Sequence, residues 1–227
     1  MKYYYFDFDW DNFPNGSGID TIGGELLENV ELKDKFWAHF TKRLVIGYPQ
    51  SIPIFNFLEY MKGKKFLAQD YMDNLFHFGL VISDKLKIII ESSYLSSHLF
   101  EPVVIKFKEK LIEDYWFFCL TESNIDAINY EKSYFFIPNN YESVPKRNLY
   151  KENLVKFSNS NELYTSTNST IHGLSAYSIK ILESKKFDIL NLGTLIEHYY
   201  LFSEELVEVI QDANITNLVF KEFEHIQ

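Results

Sequence analysis

An α+β fold, with short helices packed on a mixed or largely antiparallel sheet, is predicted by three features of this 227-residue chain. One phrase is written twice, as Leu80-Val81-Ile82-Ser83-Asp84-Lys85-Leu86 and, about 120 residues later, as Tyr200-Leu201-Phe202-Ser203-Glu204-Glu205-Leu206. Each copy runs from an apolar strand end through a Ser and acidic residues into a short amphipathic helix. Around the copies lie stretches in which apolar and polar residues alternate, the pattern of strands with one buried face. The aromatic fraction, 18% from 21 Phe, 16 Tyr and 3 Trp, favours a sheet-rich protein with sticky surfaces.

The elements follow in order. Residues 2–10 alternate, with Tyr4, Phe6, Phe8 and Trp10 on one face and Tyr3, Tyr5, Asp7 and Asp9 on the other, which predicts a half-buried strand. A turn-rich stretch, Asp11-Asn12-Phe13-Pro14-Asn15-Gly16, ends it. Phe36, Trp37, Phe40 and Leu44 have helical spacing, and Ile54, Phe57, Leu58 and Met61 predict another short helix after Pro53. Asp70 is placed to cap a helix over 71–76 that leads to the first module. Beyond it, Val103, Ile105 and Phe107 alternate with polar neighbours, and Tyr115 to Leu120 is apolar without a break, as a strand covered on both faces would be. These two read as a hairpin joined near Glu109 to Glu113, with more sheet near Tyr134 to Ile137. Residues 158–170, rich in Ser, Asn and Thr, read as a loop; Tyr177, Ile179 and Ile181 restart a strand before the second module. The chain is read as a single domain, 1–227, with 1–135 and 136–227 as candidate halves carrying one module each.

Ser83 and Ser203 stand where a helix N-cap is needed. A hydroxyl there accepts a hydrogen bond from a first-turn N–H that has no partner within the helix. Asp84, and Glu204 with Glu205, then place negative charge at the positive end of the helix dipole. Leu86, Ile89 and Ile90, like Leu206, Val209 and Ile210, share one helical face. Neither Ser has a His close in sequence, so capping rather than nucleophilic attack is their expected role.

Composition narrows the function. A net charge of −10, from 32 acidic and 22 basic residues with no basic stripe, disfavours nucleic-acid binding and is consistent with a basic protein partner or simply with solubility. The single Cys119 lies in Trp116-Phe117-Phe118-Cys119-Leu120 and is expected to be buried, and one cysteine fits a reducing compartment. Acidic residues interrupt the first stretch too early for a signal peptide, and no apolar run approaches a membrane span. A cytoplasmic location is the expectation.

No catalytic, metal or cofactor signature emerges. Asp7, Asp9 and Asp11 have the spacing of the first calcium-loop ligands, but Asn12 stands where the turn Gly belongs and Gly18 where the bidentate Glu belongs. The six His are scattered, and Gly23-Gly24 lacks phosphate-loop spacing. Carboxylate pairs are too numerous among 32 acids to single one out.

The modules, with Phe100-Glu101-Pro102-Val103-Val104-Ile105, Ile125-Asp126-Ala127-Ile128-Asn129-Tyr130 and Ala213-Asn214-Ile215-Thr216-Asn217-Leu218-Val219-Phe220, resemble one bacterial family. That family, long described as a domain of unknown function, is assigned by comparative genomics to the immunity proteins of polymorphic toxin systems. The resemblance spans roughly 70–135 and 175–223. It departs at Asn217, where a Gly is usual, and between 142 and 175, which has no counterpart. It implies a protein that binds and blocks a cognate toxin domain without catalysis or cofactor, as a monomer or homodimer. The contact residues expected for such a partner are Asp9, Asp11, Glu25, Glu28, Glu31 and Trp37. Two alternatives stay open: a carboxylate-dependent hydrolase, and a stand-alone ligand-binding or regulatory module.

Overall fold

The computed structural model describes residues 1–8, 58–59, 68–72, 79–138, 150–169, 174–196 and 200–226. These form two main sheets and a two-stranded ribbon, with short helices packed on them, an α+β fold. The first sheet has the order β2 (Leu58–Glu59), β5 (His98–Phe107), β6 (Lys110–Leu120), β4 (Leu80–Ser83), β3 (Tyr71–Met72). The second has the order β11 (Leu218–Glu222), β1 (Tyr3–Phe8), β10 (Leu201–Ser203), β9 (Ile189–Leu190). The ribbon pairs β7 (Tyr134–Phe136) with β8 (Ser175–Ser178). Helix α1 (Asp84–Glu91) follows β4, α2 (Ser160–Ser169) precedes β8, and α3 (Glu204–Asp212) follows β10. Among the described residues these strands pair antiparallel except β2 with β5, and an isolated bridge between Ile179 and Ile226 is parallel.

Four strands of the first sheet repeat the four of the second, and β2 has no counterpart. Tyr71 lies opposite Ile82 in the first, and Ile189 opposite Phe202 in the second. Val81, Ile82 and Ser83 face Phe117, Trp116 and Tyr115; Leu201, Phe202 and Ser203 face Tyr5, Tyr4 and Tyr3. On the far side, Glu101 and Pro102 face Phe117 and Trp116, as Lys221 and Glu222 face Tyr5 and Tyr4. Thus β3-β4-β6-β5 match β9-β10-β1-β11 in order and register. The connectivity differs at one point. In the first sheet the strand beside β4 is β6, which turns back from β5 through Lys108 at φ 56°; in the second, β1 fills that place from the opposite end of the sequence. Strand β1, from the first candidate half, thus completes the sheet that carries the second module.

Two cores result. One lies between the sheets and is filled in matching pairs: Ile82 and Phe202, Leu86 and Leu206, Ile90 and Ile210, Leu80 and Tyr200. Full burial of such side chains contributes roughly 1.5–3 kcal/mol each, so this shared core binds the modules into one body. The other core lies on the opposite face of the second sheet, where Tyr3, Leu201, Leu190 and Phe223 meet Phe135, Leu163, Leu174 and Ala176.

Several expectations need correction. The strand β1 is not half-buried: Tyr3 and Tyr5 pack on one core and Tyr4 and Phe6 on the other. Residues 71 and 72 are strand rather than helix, because their backbone groups pair with Val81 and Ile82. Leu58, expected on a helix, pairs in β2 with Ile105. The hairpin turns at Lys108 and Glu109, earlier than expected, and β6 begins at Lys110. Finally, Ser160–Ser169 is a helix, not a loop. Asn159 accepts from the Glu162 N–H at 3.0 Å, Glu162 reaches back to accept from the Ser158 N–H at 2.7 Å, and buried Leu163 anchors the turn in the core. The expected helix around Phe36 to Leu44 lies outside the described residues.

Candidate interaction surface

Each module is locked by its serine. Ser83 Oγ accepts from the Leu86 N–H at 3.3 Å, and Ser203 Oγ from the Leu206 N–H at 3.2 Å, so each hydroxyl caps its helix. The hydroxyl protons are spent as well: Ser83 donates to Asp70 Oδ1 at 2.7 Å and Ser203 to Asp188 Oδ1 at 2.6 Å. The backbone repeats the contact, with the Ser83 N–H on the Asp70 carbonyl and the Ser203 N–H on the Asp188 carbonyl, both at 2.8 Å.

The other oxygen of each aspartate crosses to the other module. Asp70 Oδ2 accepts from the Thr216 N–H at 3.0 Å and the Thr216 hydroxyl at 3.1 Å, in the turn after α3. Asp188 Oδ2 accepts from the Tyr94 N–H at 2.7 Å, in the turn after α1. Each module therefore holds the helix exit of its partner through the carboxylate that orders its own cap. Asp70 and Asp188 were not recognised in these roles from the sequence. The only signal was an acidic residue just before each first strand, 13 and 15 positions ahead of the Ser.

These bonds fix α1 and α3 against each other. Lys85 Nζ, at the start of α1, donates to the Asn214 carbonyl beyond the end of α3 at 3.3 Å. Leu86 and Ile90, like Leu206, Val207 and Ile210, turn inward, and the outer faces stay free. Ile88 is 66% exposed and Val209 51%; each stands four residues before its helix's C-cap, Ser92 or Ala213. Around them the two faces differ in charge. On α1, Lys87 bonds Glu91 at 3.0 Å and lies over the Trp116 ring at 4.5 Å, while Asp84 accepts from Trp116 Nε1. On α3, Val207 takes the place of that lysine, and the exposed charges are Glu205, Glu208 and Asp212, all acidic.

Elsewhere the described residues offer little chemistry. No group of three or more metal-binding side chains converges among them. Cys119 is buried, and its thiol is pushed up to about 12 by that burial, with a further contribution from the charge of Glu101. No described helix is long and apolar enough to cross a membrane. The contact residues expected from the sequence, Asp9, Asp11, Glu25, Glu28, Glu31 and Trp37, all lie outside the described residues. The outer faces of α1 and α3 were missed, although an apolar residue amid charges at helical spacing, Val209 between Glu208 and Asp212, was there to be read.

No protein-family model matches this chain, and neither does any curated protein.

Proposed function

We propose that this chain is an immunity-type protein that binds a cognate bacterial toxin domain in the cytoplasm and blocks it without a reaction of its own. The observation that carries this reading is the pairing of the two modules that bear the family resemblance: their helices share one core and turn exposed faces, each with an aliphatic residue among charges, to the outside. Helices offering exposed apolar residues within a charged rim are a common form of protein-binding surface. The two module serines do not invite a nucleophilic reading, because both hydroxyls are engaged as acceptors and donors at helix caps.

The test is co-purification with the C-terminal toxin domain encoded beside the gene, together with growth of cells expressing that toxin with and without this protein. A stable complex and restored growth would establish the reading. Failure of both would overturn it in favour of a ligand-binding or hydrolytic role.

A further inference from the structure

Strand β11 borders the second sheet, and among the described residues no strand pairs with its outer side. Its register on β1 shows which backbone groups face outward. The Phe223 N–H donates to the Tyr3 carbonyl at 2.8 Å, and antiparallel pairs alternate between bonded and non-bonded. Lys221 and Val219 therefore bond β1, while Leu218, Phe220 and Glu222 turn their N–H and C=O groups away from it. Past β11 the chain bridges Ile179 at Ile226, so the open stretch is the strand itself.

The matching strand of the first module is guarded at this place. The Thr121 N–H donates to the Ser97 carbonyl at 2.8 Å, and the same count along β5 turns His98, Phe100 and Pro102 outward. Pro102 has no N–H to offer, one of the ways a sheet border is closed to further strands. Glu222 stands at the equivalent position of β11 and keeps its N–H. Charged side chains are another such guard, but here they turn back over the sheet. Lys221 pairs with Asp7 at 2.7 Å and Glu222 with Lys2 at 2.9 Å. Val219, on the face opposite Leu218 and Phe220, is left 38% exposed.

We infer that β11 is a self-pairing edge, on which a second copy of this chain lays its own β11 antiparallel to make one continuous sheet. The segment Leu218-Val219-Phe220-Lys221-Glu222 suits its own reverse. With the two-fold axis at Phe220, Leu218 meets the partner's Glu222, Phe220 meets the partner's Phe220, and every outward N–H and C=O gains a bond. On the other face Val219 meets the partner's Lys221, whose methylene stem covers it, and no like charges stand opposite one another. The net charge of −10 opposes association in general, but the two charges on β11 are already paired within each copy. A contact of 5 residues a side is smaller than a standard interface, so a dissociation constant on the order of 10 µM is expected. This homodimer contact stands independently of the immunity reading.

Sedimentation velocity of the full chain, from low micromolar to near-millimolar concentration, tests it with two variants. Glu222→Pro gives β11 the guard that Pro102 gives β5. The lost N–H points away from β1, so the melting temperature is expected to stay within a few degrees while the dimer weakens at least about tenfold. Val219→Lys faces Asp7 within its own copy and the partner's Lys221 across the axis, so it is expected to fold as well as wild type and to weaken the dimer likewise. A wild-type chain that stays monomeric throughout, or a dimer that keeps its affinity in either folded variant, would overturn the inference. A monomer whose binding to the neighbouring toxin domain is lost in Glu222→Pro would also overturn it, and would assign the edge to a strand of the toxin.

Discussion

Tyr3 and Tyr115 make the same hydrogen bond in the two modules although they come from opposite connections of the chain. The Tyr115 hydroxyl donates to the Gln69 carbonyl and the Tyr3 hydroxyl to the Phe187 carbonyl, both at 2.9 Å, and each acceptor immediately precedes its module's aspartate. One tyrosine arrives on a hairpin and the other on the first strand of the chain, so the local architecture is preserved where the connectivity is not. The oxygen of Tyr115 also accepts from the Gln69 N–H at 3.2 Å. Tyr115→Phe should therefore destabilise more than Tyr3→Phe. Roughly 1 kcal/mol is expected for the single bond of Tyr3, and more where a backbone donor is also stranded. Urea unfolding of the two variants decides; equal losses would show that the Gln69 N–H bond contributes nothing.

Removing a module serine should cost more than an ordinary cap. Ser203→Ala strands both the Leu206 N–H and Asp188 Oδ1, and Ser203 is fully buried. A loss of about 2 kcal/mol is expected, at the upper end of measured cap deletions. Ser83→Ala, at a partly exposed site, should lose less. Thermal denaturation gives the ranking, and the reverse order would contradict the burial argument.

Asn217 adopts a backbone conformation that glycine reaches most easily. Its φ is 72°, a left-handed conformation that Asn tolerates and β-branched residues do not. Its amide nitrogen donates to the Tyr71 carbonyl at 3.1 Å and to Gln69 Oε1, tying the turn after α3 to the edge of the first sheet. Asn217→Gly should keep the turn but lose those bonds, at about 1 kcal/mol. Asn217→Val should lose both and add backbone strain of about 1–3 kcal/mol. Should the valine variant be as stable as the glycine one, the strain argument fails.

Alkaline pH should unfold the protein earlier than a surface of ordinary groups would. Burial raises Cys119 from 9.0 to about 12 and carries Tyr3 and Tyr130 well above the usual phenol range. A raised native pKa means that the folded state holds the proton more tightly than the unfolded chain does. That stabilisation is complete below the unfolded value and disappears as pH climbs to the native one, so the denaturation midpoint should fall steadily above about pH 9. At pH 8 the native thiol should resist a disulfide reagent and react at once in denaturant. Rapid labelling of the native protein would mean that Cys119 is more accessible than its burial indicates.

Much of this molecule was legible in one dimension. Ser83 and Ser203 announced two helices because a cap signal depends only on residues within one turn of it. The apolar run from Tyr115 to Leu120 announced a covered strand, since burial on both faces forbids alternation. The helix over Ser160–Ser169 was hidden by its Ser, Asn and Thr content, yet the capping pair Asn159 and Glu162 was present in the sequence. Here composition outweighed a sharper local signal.

What the chain alone determined was each module's interior: the strand that stops, the serine that caps, and the helix face that turns inward, all set by contacts a few residues apart. Only the tertiary structure decided that β1 completes the second sheet, that Asp70 and Asp188 each reach into the other module, and that α3 carries its acids on a free face. Those facts depend on register and on packing between segments from about 90 to 200 residues apart. A carboxylate's partner at that separation is chosen by the geometry of the shared core, and no local pattern of residues records it.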